Sequence, residues 1–333
     1  MSWITQKTGI INHSKDFDFG TQPIKVLHWM NVYMFKNTSK SIFNELDEAI
    51  KQQKLNRELK IVYAEESIRK ENGKFRTPVA LGDSKMIELH ETFLSYLWCT
   101  TYSIYVRYLE TIDYPFCNRK AGYAVYPISQ ENIEEAETVF DYAKSLIVSF
   151  TKWDKNELPN PEIYLAEKRD YVEQTNIYYT EAVRFILFHE FTHLKHHIDE
   201  IDEHTSDSHY LIYEEEADSN AIDNIIESLP TDNSPLTDAR KIGAEIGIVI
   251  GILSMFFFKA TTDGKRHPNS EDRLTNALLK LDYVTNDYIW GIACVGLKMW
   301  DEQFGLGFNW REDLANYKEL YFSIIAQVKA LEN

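Results

Sequence analysis

Apolar and polar positions change their rhythm near residue 84. Before it, residues 24–35 (IKVLHWMNVYMF) and 59–67 (LKIVYAEES) are dense in aromatic and β-branched side chains. That content predicts strands. Glu71-Asn72-Gly73-Lys74 is a turn sequence, and residues 76–81 (RTPVAL) are expected to return as the second strand of a hairpin, with Pro78 suited to an edge. After residue 84, Met86, Leu89, Phe93, Leu97 and Tyr105 recur at helical spacing, which predicts a helix over 84–109. Ser129 is placed to cap a second helix that ends near residue 150, and Pro159 and Pro161 mark a loop. A third helix, capped by Thr175 or Asn176, is predicted over 177–197. A polar linker over 199–209, a fourth helix from about Tyr213, two apolar helices and a C-terminal helix over 313–331 complete the chain. The expected fold class is α+β: a β-rich N-terminal region over 1–84, then a mainly helical region over 85–333. No Pro/Gly/Ser-rich linker divides them, so one continuous unit is expected.

Composition agrees with long helices. Gly and Pro number only 13 and 9 in 333 residues, and 44% of the chain is hydrophobic. The net charge of −17 carries no basic footprint, which argues against nucleic-acid binding. Three scattered cysteines suggest neither a disulfide framework nor a cysteine-rich metal site, and a reducing, cytoplasmic setting is expected. The N-terminal residues lack the apolar core of a signal peptide. The run 246–258 (IGIVIGILSMFFF) is shorter than the roughly 18 to 20 residues a bilayer span needs, so a buried core helix is expected and membrane contact is not.

Chemistry concentrates in His189-Glu190-Phe191-Thr192-His193. On a helix, residues four apart project from nearly one face, so both imidazoles can reach one Zn²⁺. Glu190 lies about 100° round the helix, where a carboxylate can take a proton from an attacking water. Ala182, Phe185 and Ile186 precede the histidines at the same spacing, so the pair continues a core-facing stripe. A catalytic zinc needs a third protein ligand. Asp199 is rejected, because the turn that would bring it back needs a glycine where this chain has His196. Glu214 is preferred, with Glu215 as the alternative. Asp218, four residues after Glu214, can accept the N–H of a ligating imidazole. His196, His197, His204 and His209 are expected to be solvated.

HExxH on a helix followed about 20 residues later by ExxAD resembles the gluzincin peptidases. The loop Pro161-Glu162-Ile163-Tyr164-Leu165, the HExxH helix and the Glu-rich run ending Ala217-Asp218-Ser219 resemble, more closely, the Lit-like phage-exclusion peptidases. That resemblance implies a zincin-like core and a cytoplasmic zinc endopeptidase. It implies His189, His193 and Glu214 as ligands and Glu190 as general base. The target it implies is elongation factor Tu, cut once a phage head-protein peptide has bound as trigger. His267-Pro268 with Arg273 looks like the HPxxxxR stretch of membrane gluzincins. There His267 would donate to the oxyanion and Arg273 would brace the ligands. Two rivals stand beside this reading. One is a zinc-stabilised sensor without proteolysis, the other a regulatory peptidase that cleaves a repressor.

Overall fold

The structure, a computed structural model, describes residues 12–13, 20–63, 75–122, 128–202, 204–232, 234–264, 266–281 and 287–331. Among the described residues it is mostly helical, with one small sheet. The strands are β1 (Asn12–His13), β2 (Glu58–Val62), β3 (Val79–Leu81) and β4 (Met86–His90), in the order β1-β2-β4-β3. The first contributes two residues, so β2, β4 and β3 form the sheet proper. β2 runs parallel to β4, and β3 lies antiparallel to β4 at the edge.

Three expectations for the N-terminal region need correction. Residues 24–35 are not a strand. Pro23–Leu27 make a 3-10 turn that leads into helix α1 (His28–Lys36), followed by α2 (Lys40–Lys51). The buried residues Ile24, His28, Asn31, Val32 and Phe35 recur every three to four positions, while Val26, Met30 and Tyr33 face outward. That is a helix period, and it overrides the strand-like content. The region is therefore not uniformly β-rich. Nor do residues 59–67 and 76–81 form a hairpin, because β4 stands between their strands; the turn at 71–74 lies outside the described residues. The helix expected from residue 84 begins only at Glu91. In Met86–His90, Ile87 and Leu89 alternate with Glu88 and His90, and Glu88 is the register partner of Lys60 on β2, with which it also forms an ion pair. Pro78 does precede the edge strand.

The helices match more closely. They are α3 (Glu91–Tyr108), α4 (Tyr114–Lys120), α5 (Gln130–Val148), α6 (Arg169–Thr192), α7 (Asp207–Ile226), α8 (Pro235–Leu253), α9 (Ser270–Leu281), α10 (Tyr288–Phe304) and α11 (Tyr317–Leu331). Ser129 caps α5, its hydroxyl accepting from Asn132 N–H. The third predicted helix starts earlier than expected, at Arg169, and Thr175 is buried within it.

Helix α6 is the hub, packed against α1, α3, α7 and α8. Its contact with α8 is backbone-close. Gly243, Gly247 and Gly251 sit on successive turns of α8, facing Ile177, Glu181 with Ala182, and Phe185. A Cβ on Gly247 would lie 2.3 Å from Glu181 Cβ and 2.8 Å from Ala182 N, so only glycine fits there. Residues Pro235–Phe258 are long and apolar enough to cross a membrane, yet 78% of their apolar window is buried within this fold, as a core helix would be.

Candidate metal centre

The last turn of α6 and the second turn of α7 meet at one point. Helix α6 arrives there with Phe188 and Phe191 locked in the core at 0% and 1% exposure. That fixes the rotation of the helix and turns His189 and His193 towards α7. Ser206 caps α7 by accepting from His209 N–H. In its second turn Glu214 is buried, whereas Glu215 and Glu216 are exposed. The choice between Glu214 and Glu215 is thus made by which carboxylate faces α6.

His189, His193 and Glu214 form a group able to hold a metal ion. Their nearest atoms make a compact triangle. His189 Nε2 and His193 Nε2 are 3.1 Å apart, His189 Nε2 and Glu214 Oε2 3.3 Å, and His193 Nε2 and Glu214 Oε1 3.4 Å. A tetrahedron whose corners lie 2.0–2.1 Å from its centre has edges of about 3.3–3.4 Å, so the triangle has the size of one face of a tetrahedral zinc site. Glu214 Oε2 is buried and makes no well-formed hydrogen bond, although imidazole nitrogens of His189 and His267 stand 3.3 and 3.1 Å away. A buried carboxylate oxygen in that state is suited to a cation. The residues present therefore fit the group.

Two layers of partners hold the ligands. His189 Nδ1 is 2.9 Å from Asp218 Oδ1. Arg273 on α9 grips Asp218 with both teeth, Nε to Oδ2 at 2.6 Å and Nη2 to Oδ1 at 2.6 Å. Burial raises the pKa of Asp218, but the Arg273 charge and His189 outweigh it and hold the carboxyl down at about 2. Burial likewise raises the pKa of Glu214, yet the surrounding imidazoles keep it well below the ordinary carboxylate range. For His189 burial lowers the pKa, while Asp218 and Glu214 lift it to about 10. The pocket thus concentrates negative charge on the Nε2 corner, where a cation is stabilised.

On the other side, the structure corrects one expectation: His197 is not solvated. It is 1% exposed, stacked on Tyr213 with ring centroids 4.5 Å apart, and its Nδ1 lies 2.9 Å from His193 Nδ1. Burial and the neighbouring His193 lower its pKa, which disfavours the charged ring. Position 197 is helical because α6 continues through a π turn, His193–His197. His196, His204 and His209 are exposed. Asp199 is exposed too and pairs with Lys85 at 2.8 Å, away from the centre.

A cavity of about 290 Å³ opens on the cluster. His189, half-buried Glu190, Glu214 and exposed His267 line its polar wall, and Phe93, Phe185, Met255 and Phe258 its apolar wall. His267 reaches the site from the loop between α8 and α9, its Nδ1 3.1 Å from Glu214 Oε2. Arg266 ties that loop to α7 through Asp207 at 2.9 Å and lies over the Tyr210 ring.

No curated protein and no solved structure matches the chain. The family described as Peptidase U49 matches residues 87–293, well over half of the 333, and spans every residue of this cluster. Such a family supports peptide-bond hydrolysis on protein substrates. The chain belongs to the Peptidase U49 family.

Proposed function

We propose that the chain is a zinc-dependent endopeptidase with a zincin-like core, of the Lit-like phage-exclusion type. The observation that carries this reading is the triangle of His189, His193 and Glu214 atoms, 3.1–3.4 Å on each side, with a carboxylate-lined cavity beside it. Among the described residues three side chains group as ligands. A closed structural ion needs four, and a catalytic one leaves the fourth position open. That favours hydrolysis over the sensor reading.

Zinc held there supplies Lewis acidity, which polarises the scissile carbonyl and acidifies a nearby water. Glu190 accepts the proton of the attacking water and delivers it to the leaving nitrogen. His267 donates an N–H to the oxyanion of the tetrahedral intermediate. Asp218 and Arg273 hold His189 with its proton on Nδ1, leaving the Nε2 lone pair for the metal. The resemblance of loop 161–165 and of the HExxH…ExxAD run to the Lit-like peptidases supports elongation factor Tu as the host target, a phage peptide as trigger and the cytoplasm as the place of action.

The test is Glu190→Gln. It should retain zinc at wild-type stoichiometry and lose at least about a thousandfold in hydrolysis, the scale of losing a general base and its electrostatic support. Cells expressing wild type, but not the variant, should show one new protein terminus in a proteomic comparison. Hydrolysis by the variant at the wild-type rate would overturn the reading.

A further inference from the structure

We propose that His197 positions the metal ligand His193, acting as the acceptor that fixes its tautomer. This inference rests on the metal-site reading above. For His193 Nε2 to offer a lone pair within the triangle, its ring proton must sit on Nδ1. A buried N–H needs an acceptor, and His197 Nδ1 stands 2.9 Å away. Accepting there places the proton of His197 on Nε2, which makes no well-formed hydrogen bond in the structure but has the carboxylate oxygen Glu216 Oε2 3.4 Å away, towards which a proton is favoured over a lone pair. The opposite arrangement, with His197 donating to His193 Nδ1, puts the His193 proton on Nε2. That proton then points at His189 Nε2, 3.1 Å away, and closes the metal position.

The surroundings hold His197 in place for this role. Tyr213 stacks on its ring with the planes 18° apart, and the Tyr213 hydroxyl donates to Glu200 at 3.2 Å. The π turn is the backbone contribution. Ile198 N–H bonds to His193 O at 3.0 Å, five residues back, and this wide turn keeps the chain helical long enough to bring His197 beside His193. Such single π turns recur at functional sites. The two ligating imidazoles are thus held by different chemistries: a carboxylate and guanidinium for His189, a neutral imidazole for His193.

Asparagine and glutamine separate position from polarity. An Asn carbonyl falls near the place of Nδ1, and a Gln carbonyl near that of Nε2. His197→Asn should bind Zn²⁺ within about threefold of wild type. His197→Gln and His197→Phe should bind it about 10- to 100-fold more weakly, the range for losing a partner of a metal ligand. Affinity is read by chelator competition. The ligand-field spectrum of the Co²⁺ form should be unchanged for Asn and altered for Gln, and melting curves report whether each variant is folded. If Asn, Gln and Phe all bind like wild type while His193→Ala has lost the metal, the positioning role is overturned and the metal site stands. Equal weakening in all three reduces His197 to packing and also overturns it. Failure of the wild type to bind any Zn²⁺ removes the metal-site reading itself, and this inference with it.

Discussion

At the level of single residues, the centre depends on how firmly Asp218 is held. Arg273 meets it with two parallel N–H donors, a geometry lysine does not reproduce. Arg273→Lys should therefore weaken zinc binding about tenfold with little change in melting temperature, as read by chelator competition beside a thermal scan. Affinity within twofold of wild type would show that the second tooth is idle. The residues of this centre were unequally legible in the sequence. His189, Glu190 and His193 are set by local helix geometry, so their spacing alone picks them out. Glu214 and Glu215 are neighbours on one turn, and only the packing of α7 on α6 distinguishes them. His197 was expected to be solvated because it stands at the last position of the predicted helix, beside the polar linker. The available signal was the repeat of the four-residue histidine spacing, His189, His193, His197, which continues the face of the site.

Among the elements, the contact between α6 and α8 is the most exacting. An Ala at Gly247 forces backbone to move, because the added carbon meets Ala182 N at 2.8 Å as well as Glu181 Cβ. At Gly243 the same carbon meets only Ile177 Cγ2, at 3.3 Å. Gly247→Ala should cost about 2–3 kcal/mol, the upper range for overpacking. Gly243→Ala should be neutral, or stabilising by up to about 1 kcal/mol through helix propensity. Chemical denaturation of both variants checks the contrast, and equal effects would sink it. The same helices show what patterning conveys. Ser129 announced α5 because a cap is a local interaction. Residues 24–35 misled because their aromatic and β-branched content suits a strand, while the period that decides the matter places Ile24, Val32 and Phe35 on one helical face. Residues 86–90 were absorbed into a helix because so short an apolar run fits either period.

Across the whole molecule, the high aromatic content is spent on the core. Tyr96, Tyr179 and Tyr321 are fully buried, and burial raises the pKa of each above its ordinary value of 10.0. A group whose folded pKa is raised adds stability that is complete below its unfolded pKa and lost above it. Each of these phenols should cost about 1.4 kcal/mol per pH unit above pH ~10, since the unfolded chain ionises there and the folded one does not. The folded protein should leave these tyrosines silent in an ultraviolet titration until it unfolds, and they should then ionise together. Gradual, independent titration of every tyrosine would contradict the burial described. The overall class was legible, since helices of this length need few glycines and prolines. The sheet order was not, because β4 reaches β2 and β3 through pairings the sequence does not announce.

The three glycines along α8 also limit how the molecule can move. Gly247 rests on the backbone of α6, while Gly243 and Gly251, one turn to either side, take the side chains of Ile177 and Phe185, so a small slide of one helix along the other drives carbon into carbon. The helix bearing both imidazoles is thereby denied small translations. The segment between α8 and α9 touches the site through His267 and Glu214 and is tied to α7 through Arg266 and Asp207, contacts made by side chains alone. Adjustment to a substrate is therefore expected of that loop and not of α6, and substitutions that alter peptide cleavage without lowering the melting temperature should gather there.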